Sequence, residues 1–356
     1  MRILVINPGS TSTKIAIYND LNQDLTQNLR HSIDLLSKFN YISEQYEFRK
    51  QVILDFLKNS EISLDSLDAV VGRGGLVKPI PGGVYKVCDN MIRDLHRGVL
   101  GEHASNLGGI IASAIVKEAN HEIPAFIVDP VVVDEMDNIA RFSGYPQLPR
   151  TSIFHALNQK AVARRYAHDI DSKYEDLRLI VVHLGGGITV GVHRKGHVVD
   201  VNNGLDGDGP FSPERSGTLP VGPLVKLAFS GQFQLFQFKK MITGNGGLVA
   251  YLGTNNATEV EKRIEEGDYY ARQVYEAMAY QIAKEIGGAA TVLSGRVDAI
   301  LITGGLAYSE MLVNWVQDRV GFIAPIKIYP GEDEMQALAE GCYYALTGEL
   351  KVQTYE

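Results

Sequence analysis

Hydroxyl groups and a lysine occupy alternate positions just after the first apolar segment of the chain, residues 3–6. Asn7 follows that segment, and after a Pro-Gly pair come Ser10, Ser12 and Lys14. Side chains two positions apart share one face of a strand, and glycine lets a backbone approach a ligand closely. The pattern predicts a hairpin turn that cradles phosphate. A polar, solvated hairpin explains the same residues equally well.

Two further glycine turns follow apolar segments of the kind that form buried strands. The carboxyl ends of such strands are where α/β proteins place their ligands. One glycine turn is weak evidence, but three in one chain favour a nucleotide held between two similar domains. The residues concerned are His183, Gly185, Gly186 and Gly187 in the first turn, and Gly304 and Gly305 in the second.

Two arginines stand where an anion could bind. Arg73 ends a predicted buried strand, and an arginine there calls for a carboxylate or phosphate partner, which its forked guanidinium suits. Arg215 lies within residues 203–223, a long stretch dense in glycine and proline. Long irregular stretches in compact proteins are usually functional. A surface salt bridge with Glu214 is the alternative for Arg215.

Asp129 and His155 are the candidates for proton transfer or hydrogen bonding to a substrate. Asp129 ends another apolar strand, and His155 starts a predicted helix, although a lone histidine is more often structural. His193 and His197 have the spacing of a metal-binding pair. They flank a predicted turn at residues 195–196, so we expect both to be exposed.

Internal similarity indicates that these residues stand on a duplicated framework. Residues 68–76 match residues 298–306 without a gap, and residues 3–10 resemble residues 180–187 more loosely. Two such pairs in the same order favour an ancient duplication over chance recurrence of strand-turn patterns. Strands followed by helices predict an α/β layered architecture. Apolar residues at helical spacing predict helices over residues 105–118, 156–168, 270–292 and 334–346.

Length and composition limit the classes of protein. The 356 residues suffice for two domains, and 45% hydrophobic with 21% charged residues is typical of a globular protein. The net charge of −8 argues against a broad nucleic-acid or anionic-membrane surface. Two cysteines make no disulfide framework. With no apolar run of 18 residues and no signal-peptide pattern, we expect a cytoplasmic protein with neither a membrane nor a nucleic-acid partner.

Several catalytic motifs are missing from the chain. It holds no GxxxxGK[ST] phosphate loop, no GxSxG nucleophile elbow and no HExxH zinc helix. The residues instead resemble the butyrate kinase branch of the acetate kinase family, within the superfamily of sugar kinases, chaperone ATPases and actin. The segments that carry the resemblance are residues 7–14, 183–187, 201–217 and 330–334.

The resemblance implies an α/β fold of two duplicated ribonuclease-H-like domains with a nucleotide cleft between them. The expected domains are residues 1–150 with 335–356, and residues 151–334, so that the last helix returns to the first domain. ATP or ADP would bind with magnesium. The first phosphate loop would comprise Asn7, Ser10, Ser12 and Lys14, the second would comprise His183, Gly185, Gly186 and Gly187, and Gly304 and Gly305 would line the adenosine site.

The resemblance also implies which side chains act on the reacting groups. Arg73 and Arg215 would flank the transferred phosphoryl group and the substrate carboxylate. His155 would hydrogen-bond a phosphoryl oxygen in the transition state. Asp129 and Glu332 would surround the magnesium, in part through water.

The implied activity is reversible transfer of the γ-phosphoryl group of ATP to a short-chain fatty acid. Acetate kinases carry Asn-Gly where this chain has Gly186-Gly187, and alanine where it has Pro8; both departures favour the butyrate branch. The family associates, so a homo-oligomer is expected. Two alternatives remain: a sugar or polyol kinase with Asp129 as the base, and a nucleotide-switched binding ATPase.

Overall fold

A computed structural model describes all 356 residues, which divide into two compact units. The first comprises Met1–Val133 and Asp333–Glu356, and the second comprises Asp134–Glu332. Both are layered α/β structures, as the sequence predicts. No helix in the chain combines the length and the apolar character required to cross a bilayer.

The first unit is built on a seven-stranded sheet. Its strands are β1 (Arg2–Pro8), β2 (Ser12–Asn19), β3 (Asn22–Arg30), β4 (Ala69–Arg73), β5 (Val84–Lys86), β6 (Ala125–Val128) and β12 (Val352–Gln353), in the order β12-β5-β6-β4-β1-β2-β3. Its helices are α1 (Ile33–Leu36), α2 (Tyr46–Asn59), α3 (Asp89–Arg97), α4 (Asn106–Val116) and α12 (Glu334–Thr347).

The centre of this sheet is apolar because helices cover both of its faces. Strands β1, β4 and β6 run parallel. Parallel strands covered on both faces are typically continuous apolar runs. Leu4, Ile6 and Val70 pack in one core with residues of α2 and α4. Helix α12, from the end of the chain, also packs against β1, β4 and β6.

The second unit is built on a five-stranded sheet in the order β11-β10-β7-β8-β9. Its strands are β7 (Arg178–Leu184), β8 (Ile188–Arg194), β9 (His197–Val201), β10 (Ala299–Gly304) and β11 (Ile326–Pro330). Its helices are α5 (Ala156–Asp169), α6 (Val221–Ala228), α7 (Leu235–Ile242), α8 (Gly247–Leu252), α9 (Ala257–Glu265), α10 (Tyr269–Val292) and α11 (Glu310–Val320).

The two faces of this sheet have separate cores. Ile180, Val182 and Ile302 pack with residues of α10 and α11. Val181 and Leu301 point to the opposite face, where they pack with residues of α5. Strands β7, β10 and β11 run parallel, so their carboxyl ends share one edge of the sheet.

The duplication is visible in atomic detail. The Arg2 amide donates to Asp68 Oδ2 at 2.6 Å, and the Arg178 amide donates to Asp298 Oδ2 at 2.7 Å. Each pair ties the start of the first strand of a unit to the residue before its parallel neighbour, β4 or β10. Residues 69 and 299 correspond in the gap-free repeat. Ile3 pairs with Ala69 and Leu179 pairs with Ala299, so residue 3 corresponds to residue 179. The sequence match of residue 3 with residue 180 is wrong by one residue, and Asn7 corresponds to His183.

The division between the units lies earlier in the chain than the expected boundary at residue 150. Residues 134–150 belong to the second unit because their polar groups bind its strands and helices. The Asp137 amide donates to the Val199 carbonyl at 2.9 Å, and the Arg150 guanidinium bonds Asp200 Oδ1 at 2.8 Å.

Candidate active site

Three candidate residues of the first unit meet at one edge of its sheet. Asn7, Arg73 and Asp129 lie at the carboxyl ends of the adjacent parallel strands β1, β4 and β6. This is the edge at which α/β sheets bind ligands. The apolar residues of each strand are buried in continuous runs, and the polar residue follows at the carboxyl end of the run.

The Arg73 guanidinium holds a carboxylate. Its Nη1 lies 2.9 Å from Glu334 Oε2 and its Nη2 lies 2.7 Å from Glu334 Oε1. Asn7 Nδ2 donates to the same Oε2 at 2.7 Å. Paired N–H groups facing paired oxygens are the geometry in which arginine binds carboxylate or phosphate specifically. Arg73 therefore has the anionic partner that its position predicts.

Glu334 is a further candidate residue, brought to notice by its contacts with Arg73 and Asn7. It is the first residue of α12, two positions beyond Glu332, which we expected at the metal. Residues 330–334 carry part of the family resemblance, but no spacing rule distinguishes Glu334 from the other two carboxylates of this segment. Only the packing of α12 on β1 and β4 brings this one to Arg73.

Asp129 is buried and conformationally unusual. Its φ of 37° is rare for a residue other than glycine. Its Oδ1 accepts from the Gly83 amide at 2.7 Å, and its own amide donates to the Gly83 carbonyl at 3.0 Å. These two bonds fix the carboxylate at the end of β6.

The hairpin turn between β1 and β2 is held from beneath by Arg49, another residue that was missed. Its Nη1 donates to the carbonyls of Gly9 at 2.8 Å and Ser12 at 2.9 Å, and its Nη2 to that of Ser10 at 3.0 Å. Gln45 Oε1 accepts from Nη2 at 2.8 Å. Arg49 is 1% exposed, and burial lowers the pKa of its guanidinium to about 10, so it stays charged at neutral pH.

The predicted phosphate-binding groups of this turn differ in exposure. Ser10 and Lys14 are exposed, and Ser12 is half-buried. Lys14 pairs across the hairpin with Asn7. Arg49 fixes the backbone between them, because its hydrogen bonds draw the turn carbonyls to one side.

In the second unit, His155 and His183 stack face to face. Their ring centroids are 3.7 Å apart and the planes differ by 10°. His183, at the end of β7, has Nδ1 2.8 Å from Asn158 Oδ1 and Nε2 3.1 Å from Glu332 Oε1. His155, the residue before α5, has Nδ1 2.9 Å from Thr189 Oγ1. The stack places His155 beside His183, two residues before the second glycine turn.

That turn has no room for larger residues at two of its three glycines. A Cβ on Gly187 would overlap the guanidinium of Arg215, and one on Gly185 would lie 2.7 Å from Glu332 Oε1. A Cβ on Gly186 meets nothing closer than Glu214 Oε2 at 3.8 Å. The glycines at 185 and 187 thus let charged side chains lie directly on the backbone.

Arg215 is placed by its own loop. Ser212 Oγ donates to the Gly186 carbonyl at 2.6 Å and accepts from the Arg215 amide at 3.1 Å. Arg215 Nη1 donates to the Gly204 carbonyl. Burial lowers the pKa of Arg215, and Glu214 opposes that shift. The Glu214 carboxylate accepts from Asn255 Nδ2 at 2.6 Å. Because Arg215 is half-buried and bonds the Gly204 carbonyl, a surface salt bridge with Glu214 does not account for its position.

Gly304 and Gly305 lie at the carboxyl end of β10, as the sequence predicts. Gly304 has a φ of 92°, and a Cβ there would overlap the Leu184 carbonyl at the end of β7. The backbone of Gly304 exchanges hydrogen bonds with Gly331 at 3.1 and 3.0 Å. Nothing crowds Gly305. Glycine at 304 is therefore required by the fold, whereas Gly305 offers open backbone.

The expectation that His193 is exposed is wrong. His193 is fully buried, with Nδ1 2.7 Å from the Tyr174 hydroxyl and Nε2 3.1 Å from Gln159 Oε1. Burial lowers its pKa to about 3. Its side chain points to the covered face of β8, whereas the His197 side chain beyond the turn is exposed. His197 is the first residue of β9, beside the turn, where no helix covers its ring in the way that α5 covers His193.

Two sheets of repeated topology, each with polar residues and a tight turn at its parallel edge, define a duplicated α/β fold. Solved structures agree in fold. The acetate kinase of Porphyromonas gingivalis matches with a TM-score of 0.79 at 18% identity, covering 96% of this chain and 98% of that one. The propionate kinase of Francisella tularensis matches with a TM-score of 0.75 at 17% identity, covering 95% and 98%.

Sequence comparison identifies the family. The acetokinase family model matches residues 148–324. Butyrate kinase 2 and Butyrate kinase 1 of Clostridium acetobutylicum are each 57% identical over 355 residues, which is 100% of this chain and 99% of each relative. The chain belongs to the acetokinase family. This confirms the resemblance, and it does not favour the sugar-kinase or switch alternatives.

Proposed function

We propose that this enzyme transfers the γ-phosphoryl group of ATP directly and reversibly to a short-chain fatty acid, butyrate or a branched analogue. The products are ADP and the acyl phosphate. The observation that carries the proposal is the Arg73 guanidinium, which binds a carboxylate in bidentate geometry at the ligand-binding edge of its sheet. The similarity to two butyrate kinases supports the choice of acyl group.

The chemistry of a carboxylate acceptor fits the residues present. A fatty-acid carboxyl group has a pKa of about 4 to 5 and is ionised at neutral pH, so its attack needs no general base. Repulsion between carboxylate and phosphates opposes the reaction. We assign Arg73, Arg215 and Lys14 to offset that repulsion and stabilise the transferring phosphoryl group. In this proposal His155 donates a hydrogen bond to a phosphoryl oxygen.

The nucleotide contacts follow from the turns. Ser10, Ser12 and the backbone of Gly185, Gly186 and Gly187 would hold phosphates, and the open backbone of Gly305 would lie beside the adenosine. Asn7 would contact the transferred group.

Magnesium is proposed as the companion of ATP. No group of three or more His, Cys, Asp or Glu side chains is arranged to hold a metal ion. Magnesium bound with a nucleotide commonly takes only one or two carboxylates, the rest of its shell being phosphate and water. The fixed carboxylate of Asp129 and the half-exposed one of Glu332 fit that need. When bound, the ion would neutralise phosphate charge. We also propose that the enzyme acts in the cytoplasm, as a homo-oligomer.

The direct test traps the product. Purified protein, ATP, magnesium and hydroxylamine are incubated with straight and branched acids of two to six carbons, and hydroxamate is measured. Strong formation that peaks at four or five carbons supports the proposal and sizes the acyl pocket. A peak at acetate assigns the chain to the sister activity. No hydroxamate with any acid, from protein that binds ATP, contradicts it.

Exchange of the arginines tests their roles. Arg73→Ala and Arg215→Ala should each reduce kcat by roughly a hundredfold or more, because each removes a preorganised positive group from the transition state. Circular dichroism should show an unchanged fold. Near-normal turnover in both variants would show that the arginines do not act on the reacting groups.

A further inference from the structure

A chain of buried polar side chains runs behind His155. Thr189 and His193 lie on the same face of β8, and Gln159 lies on α5 one turn after His155. Thr189, Gln159 and His193 have no exposed surface. A Cβ on Gly191, between Thr189 and His193, would overlap Gln159 Oε1. The strand is therefore built to admit the amide of Gln159.

Gln159, in the middle of this chain of side chains, fixes the direction of the hydrogen bonds. Gln159 Nε2 lies 3.1 Å from the Thr189 carbonyl, which only accepts, so this amide end must be the donor. Gln159 Oε1 then faces His193 Nε2 at 3.1 Å and accepts from it. His193 therefore carries a hydrogen on Nε2. Its other nitrogen, Nδ1, accepts from the Tyr174 hydroxyl at 2.7 Å.

His193 stays neutral in this arrangement. Burial disfavours its charged form, and the nearby positive charges of Lys160 and Arg164 act in the same direction. Glu135 opposes them, but it forms a buried ion pair with Lys160 at 2.8 Å. A neutral ring has one donor and one acceptor, which is what the two contacts of His193 require.

The same reasoning gives the direction of the hydrogen bond between Thr189 and His155. Thr189 Oγ1 accepts from Gln159 Nε2 at 2.9 Å. Because Thr189 is fully buried, its own hydrogen is satisfied when it is donated to the remaining neighbour. That neighbour is His155 Nδ1, at 2.9 Å. His155 Nδ1 is thus an acceptor, and a neutral His155 ring carries its hydrogen on Nε2.

We propose that Thr189, Gln159, His193 and Tyr174 form a positioning network that fixes the tautomer of His155, so that Nε2 is the donor toward the transferred phosphoryl group. The role of the donor rests on the proposed function. The tautomer does not, since it follows from contacts within one unit. The stack on His183 holds the ring plane, and the network decides which nitrogen bears the hydrogen.

The first test is spectroscopic and needs no activity. Protein with ¹⁵N-labelled histidine is compared with His155→Gln, which serves only to assign the His155 signals. We expect the chemical shift of an unprotonated nitrogen at Nδ1 and of a protonated nitrogen at Nε2. A hydrogen on Nδ1 in the unmodified protein overturns the proposal, whatever the enzyme is found to catalyse.

The second test exchanges Thr189 in a matched pair. Thr189→Val keeps the volume and loses the hydroxyl, whereas Thr189→Ser keeps the hydroxyl and loses the methyl group. We expect Thr189→Val to lose the tautomer preference and about tenfold or more in kcat, with KM for ATP and acid within about twofold, because the lost bond acts in the transition state. Thr189→Ser should retain both properties.

The outcomes separate the two proposals. Equal kcat in the two Thr189 variants, or a larger loss in Thr189→Ser, shows a packing role and overturns the network. If Thr189→Val fails to fold, the tautomer in the unmodified protein still decides. If the unmodified protein forms no acyl phosphate, the proposed function fails while the spectrum still tests the network.

Discussion

At the scale of single residues, the candidate Arg73 has a carboxylate partner in a defined geometry. Its two terminal nitrogens face the two oxygens of Glu334, and Asn7 donates to the same carboxylate. Glu334 thus orders two side chains that we assign to the phosphoryl group. The contact matches the two nitrogens of the Arg73 guanidinium to the two oxygens of a carboxylate.

Glu334→Gln should lower kcat by about tenfold or more, because an amide turns one N–H group toward the donors that the carboxylate now satisfies. Steady-state kinetics with ATP and the preferred acid would measure this. Glu310→Gln is the matched control, since Glu310 is the first residue of α11, as Glu334 is of α12, but its side chain is exposed. Equal activity of the two variants would contradict the role of Glu334.

Arg49→Met should destabilise the protein by about 2 kcal/mol, because three part-buried turn carbonyls lose their charged donor. KM for ATP should also rise, since Ser10 and Ser12 lose their fixed backbone. Urea unfolding and steady-state kinetics give the two quantities. Lys58→Ala removes an exposed positive charge from the same helix, α2, and should change neither. A variant of Arg49 as stable as that of Lys58 would contradict the account.

At the scale of elements, helices α5, α10 and α12 could be predicted from the sequence because each presents an apolar stripe to a sheet. The predicted ranges 156–168 and 270–292 agree with Ala156–Asp169 and Tyr269–Val292. The contact of Arg49 with the first hairpin could not be predicted. Its partners lie about 40 positions away, and a charged residue within a helix is normally exposed.

Two neighbouring glycines of the β7–β8 turn should differ in their tolerance of a larger residue. Gly187→Ala should displace the Arg215 guanidinium and reduce kcat by roughly tenfold or more, since preorganised charge is lost. Gly186→Ala has open space and should retain most of the activity. Kinetics and circular dichroism of the two variants provide the measurement. A greater loss at 186 than at 187 would contradict the placement of Arg215.

At the scale of the whole molecule, the duplication explains why both units carry their polar residues at the same edge. Asn7 and His183 are corresponding residues, and so are Arg73 and Thr303. The sequence alone revealed the repeat but misplaced one pair by a residue, because only strand pairing fixes register. The same lack of pairing information hid the burial of His193.

Buried histidines make the stability of the molecule depend on pH. Burial lowers the pKa of His31 to about 4 and that of His193 to about 3. The unfolded chain protonates these rings below about pH 6.5, whereas the native rings stay neutral. Unfolding therefore takes up protons, and stability is lost as the pH falls from about 6.5 toward 4.

Each such proton reduces the free energy of unfolding by up to about 1.4 kcal/mol per pH unit in that window. Urea unfolding at pH 7.5 and pH 5 measures the loss. His31→Gln should make the loss of stability between pH 7.5 and pH 5 smaller. His168→Gln, which changes an exposed ring, should leave that loss unchanged. Constant or rising stability toward pH 5 would contradict the burial of these rings.

In the proposed reaction a carboxylate oxygen attacks the γ-phosphorus of ATP. The most direct measurement is ³¹P NMR of a reaction that contains ATP, magnesium and a four-carbon acid labelled with ¹⁸O in its carboxyl group. We expect an acyl phosphate whose phosphorus signal shows the isotope shift of an ¹⁸O bridge, formed in step with ADP. Release of inorganic phosphate from ATP irrespective of the acid, with no labelled acyl phosphate, would contradict it.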